Sequence, residues 1–102
     1  MEFNAFPGET IFLTFKLTNG SGWLTSHRLI LCEHEPGHLE NQTPQFYFLK
    51  NFKKAEIEDE TLTVHFKGKR KAKIQLQTYV PSLLQEIKEY IERASKGWKR
   101  LS

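Results

Sequence analysis

The hydrophobic period of this chain changes once, at Pro81, and that change limits the fold more than any other feature. Upstream, apolar and polar residues alternate in short runs. Downstream, Leu83, Leu84, Ile87, Tyr90, Ile91 and Ala94 recur at intervals of three and four. The first pattern is that of half-buried strands and the second is one apolar stripe on a helix. A run of strands followed by a single helix makes the chain mainly β with one α-helix, an α+β arrangement.

The strand boundaries follow from the alternation. Beginning at Glu9, Ile11, Leu13, Phe15 and Leu17 share a face against Phe12, Thr14, Lys16 and Thr18. Asn19-Gly20 then predicts a hairpin with positive φ at both central residues of a type I′ turn. Ser21–Thr25 is the returning strand, Thr25-Ser26-His27 a tight polar turn, and Arg28–His34 a third strand, with Leu29 and Leu31 on one face and Arg28, Ile30 and Cys32 on the other. Glu35–Gln45, with its two prolines and Gly37, lacks periodicity and reads as a loop. Strands follow at Phe46–Leu49, Phe52–Glu58, Thr61–Lys67 and Lys71–Thr78, the last two joined by a hairpin at Gly68-Lys69-Arg70. The helix is predicted over 81–96, opened by Pro81 and a Ser82/Gln85 capping box and stopped by Gly97.

One domain is implied across 1–102: a lead-in at 1–8 whose Phe3 and Phe6 pack on the body, a β-barrel over 9–78, and the helix. Seven strands must hide their open edges. A strongly bent antiparallel sheet, or partly open barrel, capped by the C-terminal helix would do so. The single cysteine, Cys32, precludes an internal disulfide and points to a reducing, cytoplasmic setting. No leader or membrane-spanning run is legible.

Charge is divided unevenly along the chain. Residues 1–51 hold three Lys/Arg against five Asp/Glu, net −2, and residues 52–102 hold twelve against seven, net +5. The densest cluster is Lys67-Gly68-Lys69-Arg70-Lys71-Ala72-Lys73, with five basic residues in seven. Alternation sends Lys67, Lys71 and Lys73 to solvent and Ala72 and Ile74 inward. Lys67, Lys69, Arg70, Lys71 and Lys73 are therefore the candidate phosphate- or lipid-binding residues, set against a reading in which lysine simply blunts a sheet edge.

Other chemistries are poorly supported. Cys32-x-His34-x-x-x-His38 permits zinc by spacing alone, but no CxxC accompanies it, and neither a metal nor a cofactor is expected. No G-x-S-x-G, Gly-rich phosphate loop or recognisable Cys/His pairing suggests catalysis, so a non-enzymatic binding role is expected. Phe12, Tyr47 and the basic hairpin could alternate stacking and phosphate contacts with single-stranded nucleic acid, but the acidic first half interrupts any basic track.

Trp23-Leu24-Thr25-Ser26-His27-Arg28-Leu29-Ile30 resembles the LT-x-x-RLI hairpin of pleckstrin-homology-like (PH-like) domains, including GRAM domains and bacterial PH-like proteins, and looks most like the GLUE domain of the ESCRT-II complex. Phe48-Leu49-Lys50-Asn51-Phe52-Lys53-Lys54-Ala55-Glu56 is similar to the following family segment. The likeness spans Glu9 to Ala94, and its specific part is about eight residues. Leu31 departs from the aromatic residue common there. The resemblance implies a PH-like fold and an adaptor of ESCRT-type trafficking, cytoplasmic and peripheral at membranes. It implies binding of ubiquitin or a ubiquitin-like protein and phosphoinositide, with other ESCRT subunits as partners if the chain is part of a longer protein. By motif position Arg28 would line a lipid pocket; the competing reading pairs it with Glu33 or Glu56. On the helix, Tyr90, Arg93, Ala94 and Trp98 would meet ubiquitin. The alternative is a GRAM or bacterial PH-like scaffold that binds protein and no specific lipid.

Overall fold

The computed structural model describes residues 6–33 and 43–101, and side chains over 6–33 and 44–96. Phe3, the His34 and His38 whose spacing alone permits zinc, most of the Glu35–Gln45 loop and the Trp98 side chain lie outside these residues. Among the described residues are seven strands, β1 (Ile11–Leu17), β2 (Gly20–Thr25), β3 (Arg28–Glu33), β4 (Thr43–Phe48), β5 (Phe52–Glu58), β6 (Thr61–Phe66) and β7 (Arg70–Ile74), and a C-terminal helix, α1 (Pro81–Leu101). The mainly β, α+β architecture is as the periodicity implies.

The strands form two antiparallel sheets, β1-β2-β3-β4 and β5-β6-β7, rather than one bent sheet. A 3-10 turn at Leu49–Asn51 separates them, its Leu49 side chain buried in the core. The sheets are stitched near Leu17, which bridges Leu76; Thr18 N–H donates to the Gln75 carbonyl at 3.1 Å and Gln77 N–H to the Lys16 carbonyl at 3.0 Å. Among the described residues this seam leaves the barrel unclosed. It also shortens β7, predicted to reach Thr78, because beyond Ile74 the chain turns from β6 toward β1.

β4 starts earlier than its sequence suggests, at Thr43, and holds Pro44 opposite Cys32. Pro44 is tolerated because β4 is at the end of its sheet, where a missing N–H breaks no ladder bond. The first hairpin also departs from expectation. Leu17 pairs with Gly20, so Thr18-Asn19 forms the turn, and neither Asn19 nor Gly20 is among the positive-φ residues. Gly20 is needed for proximity instead: a Cβ there would lie 1.9 Å from the Cys32 carbonyl oxygen. Two consecutive positive φ values occur instead at Asp59-Glu60, at 50° and 65°.

The core lies between the sheets and under α1. It gathers Phe15 and Leu17 from β1, Leu29 and Leu31 from β3, Leu62, Val64 and Phe66 from β6, and Leu84, Ile87 and Ile91 from the helix. β3 is buried on both faces, so Arg28, Ile30 and Cys32 are covered as well as Leu29 and Leu31. Pro81 is the first helical residue, which puts Ser82 inside the first turn rather than at the cap, and the Val80 carbonyl accepts the first amide bonds, from Leu83 and Leu84. Gly97 does not end the helix, which runs on to Leu101. One interior glycine costs only about 1 kcal/mol, and good helix formers surround it. Among the described residues no helix is long and apolar enough to cross a membrane.

Candidate functional site

Arg28 is 4% exposed and is held by Glu9, not by Glu33 or Glu56. Its Nε and Nη2 donate to the two Glu9 carboxylate oxygens at 2.9 and 3.0 Å. The Glu9 carboxylate also accepts the Thr25 hydroxyl at 2.6 Å and the Phe6 N–H at 2.9 Å. The Phe6 ring lies 4.1 Å from the guanidinium carbon and the Phe46 ring 4.7 Å. Burial opposes ionisation of Glu9, but the bonds from Arg28, Thr25 and the Phe6 amide outweigh it and hold its pKa at about 2. Thr25 Oγ in turn accepts the amides of His27 and Arg28, which shapes the β2–β3 turn. The expected ligand-facing arginine is thus a tie between the β1 lead-in and β3. In the same turn Ser26 Oγ lies 2.7 Å from the neighbouring His27 Nδ1 and accepts the Thr10 N–H, which fastens the β1 lead-in to the turn.

The basic hairpin is displayed as alternation requires: Lys67, Lys69, Arg70, Lys71 and Lys73 are exposed, while Ala72 and Ile74 are buried. The turn is Lys67-Gly68-Lys69, with Gly68 and Lys69 at φ 79° and 60°. The fold enlarges this cluster. At the same end of the three-stranded sheet, a register shift between Phe52 and Lys54 exposes both Lys53 and Lys54. Lys54, His65 and Lys71 then form one row across β5, β6 and β7. Lys53, Lys54, His65, Phe66, Lys69, Arg70 and Lys71 line a depression of about 370 Å³. Arg70 is anchored over the Tyr47 ring at 4.5 Å and donates to the Phe46 carbonyl at 3.0 Å. Burial raises the Tyr47 pKa, and the Arg70 charge partly offsets it. Glu56 is the acid beside this row; its hydrogen bond to His65 at 3.1 Å, then the Lys54 charge, lower its pKa.

Acidic residues collect at the other end of this sheet. Glu33, Glu58 and Asp59 line a cleft of about 470 Å³ together with Thr18, Asn19 and Lys73. Lys73, grouped by sequence with the hairpin cations, is therefore among acids. Among the described residues no three His, Cys, Asp or Glu side chains gather closely enough for a metal ion.

The helix candidates separate too. Tyr90 and Ala94 are partly buried on the flank of the apolar stripe, Arg93 is exposed, and the Trp98 side chain is outside the described residues. Beside Tyr90, at 5.1 Å between ring centroids, is Phe12 of β1, which is 54% exposed. Alternation puts Phe12 on the solvent face but cannot join it to the helix. Nor does the sequence assign Lys53, Lys54 or His65 to a site; a lysine pair opening a strand ahead of a basic hairpin is the available signal.

Comparison of the chain with models of known protein families, with curated proteins and with solved structures found no match.

Proposed function

We propose that this protein is a non-catalytic, PH-like adaptor that docks a phosphate-bearing surface, most naturally the cytoplasmic face of an anionic membrane, on the basic end of its β5-β6-β7 sheet. The supporting observation is the polarity of that sheet along its strands. Lys53, Lys54, Lys67, Lys69, Arg70 and Lys71 are exposed at one end, and Glu58, Asp59 and Glu60 at the other. An anionic surface attracts the first end and repels the second, so the field orients the molecule before contact. Each base near such a surface adds about 1 kcal/mol, and the shallow, open depression suits headgroups better than an enclosed metabolite. Arg28 takes no part in this reading, because its guanidinium is already engaged by Glu9.

A second surface supports the adaptor role. Phe12 against Tyr90, with Ala94 and Arg93 on the same helix, offers an exposed aromatic patch for a ubiquitin-like protein. Vesicle sedimentation tests the first arm. Binding to phosphatidylserine or phosphoinositide vesicles should fall steeply with salt and with Lys69→Glu/Lys71→Glu, and vesicle binding indifferent to both refutes it. Titration with ubiquitin tests the second: shifts confined to Phe12, Tyr90 and Arg93 are expected, and unmoved resonances remove it.

A further inference from the structure

The basic end of the sheet does not stand alone. The chain enters it from β4 through Phe48, Lys50 and Lys53, and backbone bonds fasten this run to its surroundings: Leu49 N–H donates to the His27 carbonyl at 3.0 Å and Lys67 N–H to the Asn51 carbonyl at 2.9 Å. Two phenylalanines are left at the surface there. Phe48 is 37% exposed and Phe6 39%, their rings nearly parallel with centroids 6.1 Å apart. Lys50 Nζ is 6.0 Å from the Phe48 ring. Phe6 is also positioned by the Arg28 guanidinium beneath its ring and by the hydrogen bond that its N–H donates to the Glu9 carboxylate. The Glu9 carboxylate beside this pair is fully buried and neutralised by Arg28, so it offers no exposed negative charge to the surface.

From this juxtaposition we infer that Phe6 and Phe48 form an interfacial anchor: the two rings enter the headgroup layer of an anionic bilayer while Lys50, Lys53, Lys67, Lys69 and Arg70 bind its phosphates. The inference rests on the docking reading above and selects a lipid surface over a soluble polyanion. The reason is amphipathic complementarity. A soluble polyphosphate satisfies only the cations and leaves the aromatic pair in water. A bilayer interface provides both an anionic plane and, just beneath it, an apolar layer in which partly exposed aromatic rings are stabilised. Two held rings lose little conformational freedom on insertion, so their burial is not offset by ordering.

The test compares two probes, mixed phosphatidylcholine–phosphatidylserine vesicles at roughly 7:3 and soluble inositol hexakisphosphate. The variants are Phe6→Ser, Phe48→Ser and the pair. Each ring removed should weaken vesicle binding about two- to fivefold and the pair about tenfold, with inositol hexakisphosphate affinity unchanged. Because Phe6 also covers Arg28, Phe48→Trp gives an independent reading in an otherwise intact protein: its added fluorescence should be quenched by brominated lipids beyond the quenching of wild type. Vesicle binding that survives the paired substitution, with no quenching of the new tryptophan, overturns the anchor but leaves electrostatic docking in place. Binding to inositol hexakisphosphate with none to vesicles overturns the lipid assignment. Binding to neither probe overturns the docking reading and the anchor together.

Discussion

Glu9→Gln removes the carboxylate that neutralises Arg28 while leaving the shape of the site intact. Arg28 is 4% exposed and two of its guanidinium nitrogens face Glu9 at 2.9 and 3.0 Å, so the substitution takes the carboxylate charge away from a buried cation. Breaking one side of a buried pair costs about 3–5 kcal/mol, a large part of the roughly 5–15 kcal/mol that holds a domain folded. The same hydrogen bonds hold the Glu9 pKa at about 2 in the folded chain against 4.5 for an unperturbed glutamate, a difference equivalent to about 3 kcal/mol. The folded value is the lower one. The stabilisation is therefore complete above the unfolded pKa and is lost as pH falls toward the folded one. Urea unfolding followed by tryptophan fluorescence should show the variant weaker by about 3 kcal/mol near neutral pH, with a midpoint lower by roughly 2 M. The gap should narrow between about pH 4.5 and 2, where wild type loses what the variant never had. Adding Arg28→Met to Glu9→Gln should recover part of the loss, because the buried cation goes too. A variant within about 1 kcal/mol of wild type at neutral pH, or a gap that does not change with acid, refutes the assignment of Arg28 to a structural pair.

Further tests address the strands and turns. Gly22→Ala should cost about 1–3 kcal/mol in chemical denaturation, because its Cβ would lie 2.2 Å from the buried Phe15 ring, and Phe15→Leu should recover part of that loss. Gly20→Ala meets backbone rather than a side chain, so no compensating partner exists, and thermal unfolding should show a larger loss than Gly22→Ala. At the other hairpin, Asp59→Asn with Glu60→Gly should relieve two positive-φ residues and raise the thermal midpoint by several degrees, or about 1 kcal/mol. Lys88→Ala, at a half-exposed i,i+4 pair, should move stability by less than about 0.5 kcal/mol in the same assay.

Much of the fold was legible because the information in it is local. Strand alternation and the helical stripe depend only on neighbours one to four positions away, and Phe15, Leu17, Leu62, Val64, Ile87 and Ile91 are buried as their spacing implies. The exposure of Lys67, Lys71 and Lys73 follows from the same rule. Element ends were less legible. Gly97 lies within a helix and Pro44 within a strand because an end-strand position or good helix formers nearby can outweigh a single unfavourable residue.

What tertiary structure alone decided was the identity of the partners. Arg28 meets Glu9, nineteen positions away in the chain, rather than Glu33 or Glu56, because strand order brings the β1 lead-in beside the β2–β3 turn. Lys53 and Lys54 join the β6–β7 hairpin, and Lys73 leaves it for Glu58 and Asp59, because antiparallel register folds the chain's charge back on itself. Read along the chain, charge divides between two halves; in the folded sheet it divides between two ends. Alternation determines which face a side chain takes, since that is set by backbone geometry within a strand. Strand order and register determine what it finds there, and those are settled only when distant segments pack.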